Sequence, residues 1–418
     1  MTLIVRGDRG GHPSADLGKT KGGRRVERLN AACLRAPVSS AARSACRGDR
    51  PHVVALSCGS NTIVVPHPAN RGRKGQNPLV EDVTPLWLFA DQLGPHFRSG
   101  ALTKRPIVLI ESAHAFAHKR YHRQKLHLVL AGMRQLAADL GDRVTLIRSE
   151  TYRKGLLSFG RPVVVHEPGS HAADRLVRRL HADGLVAEIL PTAGFALSKA
   201  EFAHWAHGRR RFVMEDFYRD QRRRFEILME PDGEPVGGRW NFDHDNRKPP
   251  PKQRTLQVPK PWQPRENDID VDVQADLDAR VRDGTVTTLG VDGPRQFAVS
   301  RTQALRALTT FLDHRLPTFG PHQDAILGED WAMSHALLSV PLNMGLLSPL
   351  EVVEQAERRY RDGAAPLASV EGFIRQVLGW REWVWHLYWH LGPDYLDRNH
   401  LLAMSPSPRG GSMPSRTL

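Results

Sequence analysis

The sequence predicts an α/β part followed by an all-α part. Short β-branched runs alternate with helical patterns between residues 85 and 205, and no strand signal follows residue 296. Between the two lies a change of texture: residues 253–295 are rich in Pro and Asp and read as a connection.

LWLFA (86–90) is the first apolar run, and Asp91-Gln92-Leu93-Gly94 ends it. PIVLIE (106–111) is the second. Leu126, Val129, Leu130, Met133, Leu136, Ala137 and Leu140 then recur at helical spacing, and Gly141 closes that helix. VTLI (144–147), PVVVHEP (162–168) and LVAEIL (185–190) complete the strand candidates, with an amphipathic helix through Leu176, Val177 and Leu180 before the last. Strands that are apolar throughout need cover on both faces, which means a parallel sheet between helices. Residues 85–205 are therefore read as a Rossmann-like domain, without the G-x-G-x-x-G of common dinucleotide binders. Open sheets take ligands beyond the carboxyl ends of their strands, which places Asp91, Gln92, Glu111 and Glu167 near any pocket. The plainer reading of each is a turn or cap residue.

Residues 206–299 read as an interdomain segment and linker, and residues 300–404 as a partial helical domain. Thr302 reads as the N-cap of a helix carrying Leu305, Leu308, Phe311 and Leu312. HALLSVPLNMGLL (335–347) has a helical pattern broken by Pro341 and Gly345. Ser348 caps and Pro349 opens a further helix, which Gly363 ends. Ser369 reads as the cap of a last helix that holds Trp380, Trp383, Trp385 and Trp389. That helix is apolar around most of its circumference, so it should be buried on several sides. The final fourteen residues, SPSPRGGSMPSRTL, are low in complexity. We therefore expect the product to be truncated or frameshifted, with the chain stopping before the elements that would cover this helix.

At 418 residues, 40% hydrophobic and 25% charged, the chain can bury more than one core and is neither collagen-like nor a short disulfide scaffold. The formal charge of +14 suggests nucleic acid at first sight. However, residues 1–84 hold 14 Lys/Arg against 6 Asp/Glu, so more than half of that charge lies outside the predicted folded part. We read 1–84 as a disordered basic extension and 405–418 as a disordered tail. Cys33, Cys46 and Cys58 form no close pair, which argues for unpaired thiols rather than a disulfide framework or zinc site. No run of about 18 apolar residues is present, as a spanning helix would need. The expectation is a cytoplasmic monomer with no membrane partner.

Several stretches together resemble the cryptochrome/photolyase family. Within it they resemble the deoxyribodipyrimidine photolyase-related proteins, the group of iron–sulfur bacterial cryptochromes and prokaryotic (6-4) photolyases. The stretches are FADQLGP (89–95), EPGSH (167–171), RRRFVMEDFYRDQRRR (209–224), GGRWNFDHDNRKP (237–249), FGPHQDAIL (319–327), HALLSVPLNMGLL (335–347) and EGFIRQVLGWREW (371–383). The resemblance covers residues 86–402, and it rests on the order and spacing of the stretches rather than on any one of them. It implies an α/β antenna domain, a helical FAD-binding domain, and light-driven repair of pyrimidine dimers in damaged DNA, with the lesion flipped out of the duplex. Carried over position by position, it implies cofactor contacts at Phe319, Gly320, His322, His335, Ser339, Asn343, Gln376, Trp380 and Arg381. It also implies a ribityllumazine antenna touched by Asp91, although Ala115 stands where the family has a glutamate. A [4Fe–4S] cluster belongs to the family, yet its four cysteines have no counterpart here, and neither does its catalytic histidine pair. Two other readings compete with repair: a blue-light photoreceptor of cryptochrome type, and a non-catalytic remnant without a complete flavin site.

Overall fold

The computed structural model describes residues 63–64, 83–250, 252, 256 and 258–397. Its strands are β1 (Ile63–Val64), β2 (Leu86–Leu88), β3 (Ile107–Ser112), β4 (Tyr121–His122), β5 (Val144–Ser149), β6 (Val163–His166), β7 (Val186–Leu190) and β8 (Thr288–Leu289). The main sheet has the order β1-β5-β3-β2-β6-β7, and only β1 runs antiparallel. The five apolar runs are its parallel strands. β1 was not expected, since it lies in the stretch read as unstructured; Ile63 and Val64 register with Arg148 and Ile147 on the sheet edge. β4 and β8 form a separate short parallel ladder.

The helices are α1 (Ala113–Ala117), α2 (Arg123–Leu140), α3 (Tyr152–Phe159), α4 (His171–Ala182), α5 (Lys199–Ala206), α6 (Met214–Arg224), α7 (Asp268–Arg282), α8 (Arg301–His314), α9 (Ser339–Asn343), α10 (Pro349–Arg361), α11 (Leu367–Ile374) and α12 (Glu382–Leu391). Thr151 and Ser170 cap α3 and α4 through their side chains, and Ser198 with Glu201 forms a capping box on α5. One sheet face packs Trp87, Val108, Ile147, Val165 and Leu180 into its own core. The other face shares a larger core with α2, α7, α8, α10 and α11, through residues such as Leu109, Leu130, Leu277, Leu308, Val353 and Phe373.

Three local readings are corrected. Ser300, not Thr302, caps α8: its backbone is extended and its hydroxyl accepts from Gln303 N, while Thr302 already lies inside the helix. The stretch read as connection contains the 15-residue α7, with an Asn267–Asp270 capping box. Its run of aspartates masks Val273 and Leu277, which are spaced one turn apart and buried. Ser369 is no cap either, because α11 begins at Leu367 behind Pro366. Instead its buried hydroxyl accepts from Gly320 N and donates to Pro317 O.

Candidate functional site

The strand order puts a topological switch point between β2 and β6, because the chain moves outward from β2 to β3 and β5 and later from β6 to β7. Asp91 and Gln92 follow β2, and Glu167 follows β6. The Gln92 amide donates to Glu167 O at 3.3 Å, closing the base of the crevice. Asp91 is open to solvent at this crevice. A Cβ on Gly169 would stand 2.7 Å from Asp91 Oδ2, so glycine there keeps the crevice clear. Glu111 has a different role from the one its strand position suggested. It is fully buried, and Arg134 of α2 holds it through two hydrogen bonds of 2.8 and 3.0 Å.

The loop after β2 is joined to the bend after α9. Leu93 N donates to Met344 O at 3.1 Å, and a Cβ on Gly94 would overlap the carbonyl oxygen of Gly345. Gly345 itself has a φ of +65° and no room for a side chain against Phe97 and Asp91 O. His96, beside this joint, is pushed down to about 4 by burial and by Arg301. The crevice and the α9 segment are thus parts of one construction.

Four of the motif stretches converge at the start of the Trp-rich segment. Glu371 is fully buried; its Oε2 accepts from Phe242 N at 2.9 Å, and Arg375 Nε stands 3.3 Å from Oε1. Arg375 also donates to Asp243 at 2.8 Å, and Asn246 donates to Ala368 O. Burial raises the pKa of Glu371, against the pull of Arg375. Tyr218 of α6 lies against this carboxyl, and burial with the Glu371 charge raises its phenol well above the usual range.

From Arg375 to Arg381 the helix is π-helical, and it returns to α geometry at Glu382. Such a turn is an α-helix carrying an extra residue, and it is found mostly at functional sites. Here it separates two facings. Trp383 is 5% exposed and packs among Phe202, Trp205 and Phe217 at 5.6 to 5.9 Å. Trp380, Val384 and Tyr388, spaced four apart, are 44%, 49% and 41% exposed and form an open stripe. The expectation of burial on several sides therefore holds for Trp383 but not for this stripe.

The sequence-predicted residues fall into two groups. Phe319 is buried edge-on against Phe311 and Phe373, and Gly320 is closed in by Ser369 and Asn246. Arg381 is buried, donates to Gly194 O and Leu342 O, lies 4.1 Å over Phe195, and pairs with Glu382 at 3.3 Å. His335 spends Nε2 on Gln323 O. The second group keeps polar atoms free. Ser339, Asn343, Gln376 and Trp380 make no side-chain hydrogen bond among the described residues and are exposed or half-buried, and His322 Nδ1 is buried without a partner. The Arg381–Leu342 bond brings the α9 members of this group next to the π turn. Sequence reading gave Glu371 and Arg375 no role, although a charge pair four apart inside an apolar helix was the available signal. Among the described residues one group of metal-ligand type gathers, His127, Glu266 and Asp270, and its atoms are engaged in hydrogen bonds with Asp292 and Arg295.

Residues 86–288 match the family model described as deoxyribodipyrimidine photo-lyase-related protein. Over that stretch the chain is similar to the photo-lyase-related family. It is 36% identical over 332 residues to a (6-4) photolyase of Agrobacterium fabrum, an alignment that takes in 75% of this chain and 64% of that protein. It therefore spans somewhat less than two thirds of that relative's length. A second relative, an uncharacterised protein of Acanthamoeba polyphaga mimivirus, is 34% identical over 76 residues, or 18% of this chain and 58% of the relative. Among solved structures, a bacterial class III photolyase from Agrobacterium tumefaciens aligns with a TM-score of 0.47 at 19% identity, covering 77% of this chain and 63% of that one. A Synechocystis cryptochrome aligns with a TM-score of 0.44 at 13% identity, covering 75% and 63%. No cysteine follows Cys58 in this sequence, so the described residues offer no thiolate set for a [4Fe–4S] cluster. No described helix is long and apolar enough to cross a membrane.

Proposed function

We propose that this chain is a photolyase-like flavoprotein that acts on pyrimidine dimers in damaged DNA, of the (6-4) or cyclobutane type. The observation that carries the reading is the 36% identity, over 332 residues, to a protein named as a (6-4) photolyase. Free polar side chains around the π turn support it, since they are what a bound cofactor would use.

A reduced flavin, when bound and excited by light, supplies the electron that splits the lesion. The hydroxyl of Ser339 and the amide of Asn343, one turn apart on α9, can hydrogen-bond an oxygen-rich group. His322, through its buried and unpartnered Nδ1, can satisfy one further polar atom. Trp380 offers an open indole face for stacking, and the neighbouring Gln376 amide can read a ring or base edge. Arg381 and Glu382 spend their side chains on the protein itself. They hold the π turn against α9 and the Gly194–Ala196 loop, where Ala196 N donates to Glu382 at 2.9 Å. Asp91 in the switch-point crevice is the residue proposed to face a ribityllumazine antenna. Residues 85–205 would form the antenna part and 300–404 the cofactor part, the chain acting as a cytoplasmic monomer.

The test is illumination of the FAD-supplemented, chemically reduced protein with a lesion-bearing oligonucleotide under blue light. Restored pyrimidines, in light and not in darkness, are expected. Stoichiometric flavin with no restored base would overturn repair and favour a photoreceptor.

A further inference from the structure

A cavity of about 320 Å³ lies between α4, α5 and α12, and the proposed function leaves it unused. Its size falls within the range of small-molecule sites. The walls are of two kinds. One is flat and aromatic: Trp389 and His386 line it, and Phe202 lies parallel to His386 at 4.8 Å. The other is charged. Lys199 sits 3.4 Å over the Trp389 ring, and Arg178 rises from α4 behind Asp174.

Among the described residues, several polar groups here have unmet bonding capacity. His386 is 1% exposed and neither ring nitrogen has a hydrogen-bond partner, although Nε2 stands 3.6 Å from Glu382. Asp174 gives Oδ2 to Arg178, while its Oδ1 is buried with no partner. The indole N–H of Trp389 is also unpartnered. Lys199 reaches Glu167 only at 3.4 Å. Buried polar atoms are rarely left unpaired without a missing partner. The set asks for a ligand that has a flat ring, donates toward a carboxylate, and carries negative charge for Lys199 and Arg178.

We propose that this cavity is a binding site for a free nucleoside monophosphate. Lys199 would leave the face of Trp389 to the ring and join Arg178 on the phosphate, while the ring's N–H groups would meet Asp174. Inorganic phosphate satisfies only the last of these demands. The site is independent of flavin and of light, so its test stands apart from that of repair.

Guanosine monophosphate is the probe, titrated into the full chain in darkness and followed by tryptophan fluorescence and calorimetry. Saturable one-to-one binding is expected, at least tenfold weaker in Lys199→Ala and in Arg178→Ala, with inorganic phosphate at least tenfold weaker than the nucleotide. Arg178 is largely exposed, so its variant should fold even where another does not. Absence of saturation, equal binding by both variants and the parent, or equal affinity for phosphate alone would overturn the proposal. An oligonucleotide that displaces the probe at tenfold lower concentration would also overturn it, by moving the site to nucleic acid.

Discussion

Gly94 and Gly345, 251 positions apart, meet so closely that neither tolerates a side chain: a Cβ on the first would overlap the carbonyl oxygen of the second. The contact locks the loop after the first parallel strand to the bend after α9. Gly94→Ala should cost about 3 kcal/mol or more, since the obstruction is backbone rather than a flexible side chain. Gly160→Ala has the strain of a φ of +76° but open space around it, so it should cost about 1–2 kcal/mol. Urea unfolding of the two variants measures the difference, and equal costs would refute the contact.

His127 is buried between Asp270 and Asp292, at 3.1 and 3.2 Å. Burial alone would lower its pKa, but the two carboxylates prevail and hold it at about 9. A raised pKa contributes stability that is complete below the unfolded value of about 6.5 and is lost as pH rises through 9. The melting temperature should therefore fall between pH 6.5 and 9.5, and His127→Gln should flatten that fall. A parallel decline in both proteins would count against the imidazolium.

Glu382 is the buried counter-charge of Arg381, whose pKa burial lowers. Glu382→Ala leaves that guanidinium without its carboxylate and should destabilise the protein by about 3–5 kcal/mol. The double variant Arg381→Met/Glu382→Leu should recover much of the loss. Thermal melts of the three proteins decide it; no recovery would mean the pair is held for its hydrogen bonds to Gly194, Ala196 and Leu342.

Trp380 lies on the open stripe, so Trp380→Ala should change stability by no more than about 0.5 kcal/mol. On the proposed function, the same change should weaken FAD binding at least tenfold, as read by flavin fluorescence. With the stripe uncovered, the parent chain should itself hold less than one flavin per chain after purification, measured by absorbance. Tight stoichiometric flavin would contradict that.

The sheet was legible because residues 163–165 and 107–110 are apolar on both faces, a pattern that few other settings allow. Helix α7 was not, because Asp268, Asp270, Asp272, Asp276 and Asp278 made its sequence look like linker, while only Val273 and Leu277 report the buried face. Much of the site was legible only as motif. That Glu371 would face Phe242 and Arg375 would face Asp243 depends on segments more than a hundred residues apart, and no local pattern encodes that. The open stripe was hidden for a related reason: tryptophans at 380 and 383 look equivalent in a helical wheel of constant pitch.

The π turn breaks that constant pitch. Winding the same seven residues as an ordinary α-helix would rotate everything beyond them by roughly 100°. Trp383 would swing out of its aromatic nest and Glu382 away from Ala196, while the segment before residue 375 stayed in place. The π turn thus acts as a dial on the orientation of the whole terminal helix, which makes the winding of this segment as consequential as its composition.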